Sequence, residues 1–170
     1  KGLNIPSSVY DEDSQRKMYL KFLRKFNQVK YDAIGVSFIQ SSKVLEVIKS
    51  KYPNTIVVAK IENLKGMENI QHICKSCDVI MIDRGDLSAE IGENNLFSAI
   101  TRISKITKEN GKSLIMATEN LDSMMSRKSP TKSEIVSIGH SLMLESDKIM
   151  LSDETATSEK WLEALKWLDE

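Results

Sequence analysis

The sequence predicts an α/β fold in which about five parallel strands with covering helices form part of a TIM-type (β/α)8 barrel. Five apolar runs, at residues 33–39, 55–61, 79–82, 113–117 and 148–151, are nearly continuous rather than alternating. Runs of this kind are typical of parallel strands covered on both faces. Their starts lie about 22 to 35 residues apart, comparable to the ~30 residues per unit of an eight-fold barrel.

Helical patterns separate the runs, as repeated βαβ units require. One covers Asp13 to Phe26 before the first run, and another closes the chain from Ser158. Ser42 and Ser133 are placed to open helices, and Asn110-Gly111 is a stop signal. Three apolar helix faces are expected: Val44, Leu45, Val47 and Ile48; Phe97, Ile100, Ile103, Ser104 and Ile106; Ile135, Val136, Ile138, Leu142 and Met143.

A doubly wound open sheet is the alternative architecture. No G-x-G-x-x-G or G-x-x-x-x-G-K-[ST] motif follows a predicted strand, which counts against the nucleotide-binding versions of that fold. The 170 residues suffice for a single domain with a substantial core. Because the chain starts at Lys1 rather than Met and ends within a helical pattern, we expect it to be a segment of a longer polypeptide.

Composition and charge exclude several functional classes. Hydrophobic residues make up 41% and charged residues 28% of the chain, as in soluble globular proteins. The 24 basic and 24 acidic residues give a formal net charge of zero, which offers no field to attract nucleic acid or a membrane surface. Since no apolar run approaches ~20 residues and no signal peptide opens the chain, we expect a cytoplasmic protein.

Cys74 and Cys77 form a C-x-x-C motif shortly after His72. Such a motif can be half of a zinc site or a redox pair. A structural zinc needs four ligands, and the only other histidine, His140, lies far along the chain. We therefore favour two reduced thiols within a helix, where Cys74 continues the apolar side formed by Met67, Ile70 and Ile73.

Polar clusters lie at the ends of four of the five runs. They are Lys60-Ile61-Glu62, Asp83-Arg84-Gly85-Asp86, Thr118-Glu119 and Ser152-Asp153-Glu154-Thr155. Barrel enzymes build their active sites at the carboxyl ends of the strands, so the clusters predict a site there.

The predicted site suits anion chemistry at a divalent cation. Glu62 and Asp86 are carboxylates from neighbouring strands, and two carboxylates with open positions suit Mg²⁺ or Mn²⁺. Lys60 beside that ion would stabilise negative charge on a transferring group or enolate. Gly85 and Asp86 would present backbone N–H groups to a carboxylate or phosphate, and Thr118 adds a hydroxyl.

Each cluster also has a structural interpretation. Lys60 and Glu62 can form a surface ion pair of little energetic value. Asp153 and Glu154 can simply begin a helix, where acidic residues are favourable. Arg84-Gly85-Asp86 spells an adhesion tripeptide, although three residues recur by chance. The joint occurrence, strand after strand, favours the active site.

Six motifs give the chain a specific resemblance. They are KGLNIP at 1–6, AKIEN at 59–63, RGDLSAEI at 84–91, MATENLDSMM at 116–125, SPTKSE at 129–134 and IMLSDETA at 149–156. In this order they closely resemble the latter part of the pyruvate kinase catalytic barrel, over essentially all 170 residues. The resemblance implies a glycolytic phosphotransferase that acts on phosphoenolpyruvate and ADP, giving pyruvate and ATP, with Mg²⁺ (or Mn²⁺) and K⁺.

The resemblance also implies residue roles. Lys60 matches the family's lysine at the transferring phosphoryl group, and Glu62 and Asp86 match its divalent-metal ligands. Thr118 matches the threonine beside the methylene carbon of the enolate. Gly85 together with Asp86 would offer N–H groups to the pyruvate carboxylate.

Ser152 and Glu154 resemble residues linked to the proton path. Three acidic residues depart from the family pattern, which usually has Ala at Asp83, Gln at Glu119 and Gly at Asp153. Added acids at one face are expected to change the metal stoichiometry or repel nucleotide. The chain also reads Arg-Lys-Ser-Pro at 127–130, where the family has a Pro-Arg-Pro run.

The first three barrel strands, the lid and the C-terminal regulatory domain have no counterpart in residues 1–170. The family places its K⁺ ligands, a phosphate-binding arginine and much of its nucleotide site there, so we expect the isolated segment to be inactive. The open sheet edges lead us to expect a homo-oligomer. Two other hypotheses stay open: a metal-dependent lyase or aldolase acting on a pyruvate enolate, and a non-catalytic barrel remnant.

Overall fold

The computed structural model describes residues 11–25 and 29–169. Within them the chain forms one sheet of five parallel strands, whose spatial order follows the sequence. The strands are β1 (Ala33–Val36), β2 (Ile56–Ile61), β3 (Val79–Asp83), β4 (Ser113–Ala117) and β5 (Lys148–Met150). This arrangement confirms the predicted α/β class with its parallel sheet and is consistent with part of a TIM-type barrel.

Helices connect consecutive strands, because a parallel pair needs a crossover. The connecting helices are α2 (Lys43–Lys51), α3 (Leu64–Glu68), α4 (Ile70–Lys75), α5 (Arg84–Ile91), α6 (Glu93–Glu109) and α7 (Lys132–Met143). Helix α1 (Glu12–Lys25) precedes β1, and α8 (Asp153–Ala156) and α9 (Trp161–Asp169) follow β5. A 3₁₀ helix covers Asp122–Met125 between β4 and α7. None of the helices in the described ranges is long and apolar enough to cross a membrane.

The main core lies between one face of the sheet and helices α2, α4 and α6. Alternate strand residues project to this face and are fully buried: Val57, Ala59, Ile61, Ile80, Ile82, Leu114 and Met116. Each buried Val, Leu or Ile side chain contributes roughly 1.5–3 kcal/mol. The alternation leaves Lys60, Met81 and Ile115, which pair across β2, β3 and β4, on the opposite face.

A second core cluster joins the C-terminal elements. It contains Leu121, Met124, Ile138 and Ala164, with Trp167 and Leu168 of α9 packed against it. The final helix therefore covers the 3₁₀ helix and α7. The predicted helix from Ser158 begins three residues later, at Trp161, and the predicted Asp13–Phe26 helix appears as α1, with Phe26 outside the described residues.

Two predicted apolar faces are wrong in part. Phe97 does not join the buried face of α6, because its side chain is 68% exposed and its ring stacks on that of His140, with centroids 4.9 Å apart. On α7 only Ile138 of the predicted face is buried. The remaining predicted members are exposed: Ile135, Val136, Leu142 and Met143.

The helix starts also differ from the prediction. Ser42 occupies the N-cap position of α2, but its side chain makes no capping hydrogen bond. Helix α7 is capped by Thr131 rather than Ser133, because Thr131 and Glu134 form a reciprocal capping box. Asn110 ends α6 as expected, and Gly111 follows with φ of 64°, a conformation that glycine adopts without steric cost.

Candidate active site

The candidate site lies where β2, β3 and β4 end. The chain turns beyond β1 and β4 through non-glycine residues with left-handed backbone, with φ of 50° at Phe38, 64° at Thr118 and 54° at Glu119. Such residues cost on the order of 1–3 kcal/mol each and cluster at functional sites. In the turn after β1, the Phe38 N–H donates a hydrogen bond to the Glu62 carboxylate.

Lys60 and Glu62 form a buried ion pair at the end of β2. Being two residues apart, they project to the same side, and Lys60 Nζ lies 2.5 Å from Glu62 Oε1. The Glu62 side chain is only 1% exposed and that of Lys60 is 22% exposed. The alternative of a solvent-exposed surface pair is therefore wrong.

Asp83, the last residue of β3, extends this cluster. Its Oδ2 lies 3.3 Å from Lys60 Nζ, and its Oδ1 accepts a hydrogen bond of 3.2 Å from the Thr118 hydroxyl. The register explains the contacts, since Lys60 pairs with Met81 and Asp83 with Ala117. Asp83 thus shares the Lys60 side of the sheet and meets the residue that follows β4.

The arrangement fits a divalent cation. Carboxylate oxygens of Glu62, Asp83 and Asp86 all lie within 4.8 Å of one another. Glu62 and Asp83 are buried, and Asp86 is partly buried. Three carboxylates and the Lys60 ammonium sum to a formal charge of −2, and hard oxygen donors are those that Mg²⁺ and Mn²⁺ prefer. The structure thus brings together the predicted ligands Glu62 and Asp86 and adds Asp83, which the sequence reasoning did not assign to the metal.

Burial and charge act in opposition on this cluster. Burial alone lowers the pKa of Lys60, but the hydrogen bond and charge of Glu62, with the charge of Asp83, raise it above its ordinary value. Burial also raises the pKa of Glu62 and outweighs the opposite influence of Lys60 and the Phe38 N–H. Lys60 is consequently a firmly protonated cation at neutral pH.

The start of α5 follows Asp83 directly. Asp83 is its N-cap residue and accepts a hydrogen bond of 3.5 Å from the Asp86 N–H, while the Gly85 N–H donates to Thr118 Oγ1 at 3.1 Å. Both N–H groups that the sequence assigned to a substrate carboxylate thus lie at the cluster, each facing an internal oxygen.

Arg84 supports the site from within the fold. It is 6% exposed, which is incompatible with adhesion through Arg84-Gly85-Asp86 on this surface. Its guanidinium donates to the carbonyl oxygens of Ala117 and Thr118, to Asn120 Oδ1 at 2.7 Å and to Ser137 Oγ at 2.5 Å. Burial lowers the pKa of Arg84. The sequence around Arg84, a charged residue directly after an apolar run, does not indicate this buried role.

Ser152 and Glu154 lie on the neighbouring exit of β5. The Ser152 hydroxyl donates to Asp122 Oδ1 at 2.5 Å, and Glu154 is exposed in the first turn of α8. The structure therefore places Ser152 against the 3₁₀ helix rather than within the carboxylate cluster. Asp153 begins α8, in line with the helix-start interpretation of this acidic pair.

The two cysteines lie away from this site. Cys74, in α4, and Cys77, just after it, are both buried and free. Burial raises the pKa of Cys74, and it raises that of Cys77 to about 12. Thiols held in this protonated form are poor metal ligands and nucleophiles, which favours the structural interpretation.

Parallel strands that deliver carboxylates, a lysine and a threonine to their carboxyl ends define a barrel-type α/β domain with a buried acidic cluster suited to a metal ion. A family model described as "Pyruvate kinase, barrel domain" matches residues 1–165. The chain belongs to the pyruvate kinase family.

Individual relatives give the same result. The chain is 32% identical over 169 residues to a pyruvate kinase of Trypanoplasma borreli, covering 99% of this chain and 34% of the relative. It is 38% identical over 141 residues to a pyruvate kinase of Encephalitozoon cuniculi, covering 81% and 32%. A pyruvate kinase of Thermoplasma acidophilum is 31% identical over 172 residues, covering 99% and 32%. The chain thus spans about a third of the length of these curated relatives.

Proposed function

We propose that these residues supply the metal-binding and enolate-binding part of a site that transfers phosphoryl from phosphoenolpyruvate to ADP. The observation that carries the proposal is the cluster of Lys60 Nζ with the carboxylates of Glu62, Asp83 and Asp86. A divalent cation bound there, Mg²⁺ or Mn²⁺, would neutralise charge on the phosphate and enolate oxygens. K⁺, and ligands to the nucleotide, would come from other parts of the full protein.

Lys60 has the properties that the transfer requires. It is a fixed cation at the carboxyl end of β2, held in position by Glu62 at 2.5 Å and Asp83 at 3.3 Å. A pre-positioned cation costs no reorganisation when negative charge develops on the transferring group. Glu62 and Asp86 are the proposed metal ligands.

Thr118 and the start of α5 would orient the enolate. The Thr118 hydroxyl lies 3.1 Å from the Gly85 nitrogen and 3.2 Å from Asp83 Oδ1, so it is positioned at the junction of the carboxylates and the N–H groups. The N–H groups of Gly85 and Asp86 would bind the substrate carboxylate. Ser152 and Glu154, at the next strand exit, would take part in the path of the proton to the methylene carbon.

The test is the reaction itself. The longest natural chain that carries these residues should form ATP and pyruvate from ADP and phosphoenolpyruvate in the presence of Mg²⁺ and K⁺. Lys60→Met should lower turnover on the order of 10²–10³-fold with an unchanged fold by circular dichroism. Lys65→Met, which changes an exposed lysine of α3, is the matched control. Near-normal turnover of Lys60→Met, or cleavage of a carbon–carbon bond without ATP formation, would overturn the proposal.

The setting of the reaction is part of the same proposal. We place it in the cytoplasm, within glycolysis, and in a homo-oligomeric protein. The sequence family supports this setting, and the incompletely covered sheet face supports association. Fractionation of cells measures the location, and sedimentation of the natural protein measures the oligomeric state.

A further inference from the structure

Asp83 lies within reach of three hydrogen-bond donors, one of which, the Thr118 hydroxyl, is also 2.7 Å from the Ala117 carbonyl oxygen. Its carboxylate is buried, with the residue 6% exposed, and it lies 3.3 Å from Lys60 Nζ and 3.2 Å from the Thr118 hydroxyl. It also faces the Asp86 N–H at 3.5 Å. A carboxylate in this position is an anion supplied by the protein itself.

The same three donors are those that the proposed function gives to the substrate. Lys60 is assigned to the phosphoryl group, and Thr118 and the Asp86 N–H to the enolate and its carboxylate. The Thr118 hydroxyl and the Asp86 N–H each offer one hydrogen, so Asp83 and an anionic substrate compete for them, whereas Lys60 has three hydrogens. Asp83 in addition brings one negative charge close to any bound phosphate.

Asp83 weakens the binding of an anion but strengthens the binding of a cation. Its carboxylate oxygen lies within 4.8 Å of those of Glu62 and Asp86, so one ion can reach all three. A third carboxylate adds a hard oxygen ligand and raises the formal negative charge of the site, and both strengthen the binding of Mg²⁺ or Mn²⁺.

We propose that Asp83 is a specificity-determining residue, which strengthens binding of the divalent cation and weakens binding of the anionic substrate. The inference rests on the proposed function, because the cation and the substrate are those assigned there. Glu119 and Asp153, two further acidic residues that follow strands at this edge, are exposed and outside the cluster. Substituting them tests whether an effect of Asp83 comes from its local contacts or only from negative charge at this edge of the sheet.

The first measurement is a Mn²⁺ titration of the longest natural chain, followed by the paramagnetic resonance signal of free Mn²⁺. Asp83→Asn keeps an acceptor oxygen for Thr118 and the Asp86 N–H but removes the charge. We expect its Kd for Mn²⁺ to rise about tenfold. Glu119→Gln, which removes an exposed charge nearby, should change the Kd less than about twofold because exposed charges are screened.

The second measurement is the binding of phosphoenolpyruvate to protein saturated with Mn²⁺, by calorimetry without ADP. Asp83→Asn should bind phosphoenolpyruvate several-fold more tightly than the natural protein does. If Asp83→Asn does not fold, Asp83→Ser serves instead, since serine also favours the N-cap position. Unchanged Mn²⁺ affinity, or unchanged or weaker binding of phosphoenolpyruvate, would overturn the inference.

A separate outcome identifies failure of the proposed function. Glu62→Gln and Asp86→Asn should each weaken Mn²⁺ binding, whatever Asp83 does. If both leave Mn²⁺ affinity unchanged, the metal site itself is wrong. If they weaken it while Asp83→Asn does not, the metal site stands and only the role of Asp83 falls.

Discussion

The Arg84 guanidinium donates a hydrogen bond of 2.7 Å to Asn120 Oδ1, inside the protein. Asn120 in turn donates to the Met150 carbonyl oxygen at 2.9 Å. The pair therefore links the start of α5 with the exit of β4 and the last residue of β5. The start of α5 and the exit of β4 carry Asp86 and Thr118, so the link holds these two parts of the candidate site together.

Replacing Arg84 should destabilise the protein. In Arg84→Met the carbonyl oxygens of Ala117 and Thr118 and the side chain of Asn120 lose their donor, and buried polar groups without partners are costly. We expect the free energy of unfolding to fall by about 2–4 kcal/mol, measured by urea denaturation. Arg84→Lys should recover only part, because lysine lacks the planar fork.

Arg102→Met, at an exposed position of α6, is the control and should change the free energy of unfolding by less than about 0.5 kcal/mol. Equal stability of Arg84→Met and Arg102→Met would show that the Arg84 network contributes nothing.

The strands and their order follow from local rules that the sequence displays. Continuous Val- and Ile-rich runs predict parallel strands, and the five strands lie where the runs predict, within a few residues at their ends. The first apolar run continues to Ile39, although β1 ends at Val36. Ile39 lies beyond the strand, next to Phe38 in the turn, but its side chain is still buried, so it is apolar without being part of the strand. Periodicity could not show which apolar residues of α6 and α7 stay exposed, since that depends on their neighbours.

The part of the candidate site that depends only on the positions of the strands was predictable from the sequence. Lys60, Glu62, Asp86 and Thr118 meet because neighbouring parallel strands end at one edge of the sheet. Asp83 could have been found from register, since alternation from Val79 places it on the Lys60 side. The partners of Arg84 include backbone carbonyl oxygens, and no sequence pattern identifies those.

Gly66 should not tolerate a side chain. A Cβ there would lie inside van der Waals contact of the Ile39 carbonyl oxygen, close to the side chain of Asn63, which caps α3 through the Gly66 N–H at 2.7 Å. Overpacking of this kind costs about 1–3 kcal/mol, so Gly66→Ala should lower the free energy of unfolding in a urea titration.

Gly139 is the matched control, because it also lies in a helix but a Cβ there would meet nothing within 4 Å. Gly139→Ala should raise the free energy of unfolding by about 0.5–1 kcal/mol, since alanine loses less backbone entropy. The prediction for Gly66 fails if both variants become more stable.

Glu134 should make stability depend on acid pH. Burial alone raises its pKa, but hydrogen bonds from Ser123 and Thr131 outweigh this and lower it to about 2. Because the folded pKa lies below the ordinary ~4.3, the stabilisation is complete above that value and is lost as pH falls toward 2.

Glu134→Gln should therefore cost about 1 kcal/mol at pH 6, a figure reduced for the partial exposure of the group, and progressively less between pH 4 and pH 2. Thermal unfolding across this pH range gives the difference. Glu159→Gln, at an exposed position, should show no such trend. A cost that is constant with pH would mean that the capping contacts, and not the charge, account for the effect.

The isolated 170 residues should associate. In the described part of the chain β1 and β5 each pair with one strand only, and an open edge presents N–H and C=O groups to another chain. The sheet face opposite α2, α4 and α6 carries Ile56 and Met150, which are 45% and 37% exposed. A second copy that covers this face would bury both and complete the interior that a barrel normally fills.

Sedimentation velocity over a wide concentration range measures this association. Ile56→Glu introduces a charge on the face and should shift the protein toward monomer, since burying an unpaired charge is costly. Met143→Glu, on α7 with 83% exposure, alters an apolar residue elsewhere and should leave the distribution unchanged. If the protein and both variants are stable monomers at every concentration, the prediction is wrong. The described strands would then tolerate open edges and a half-covered apolar face without a partner.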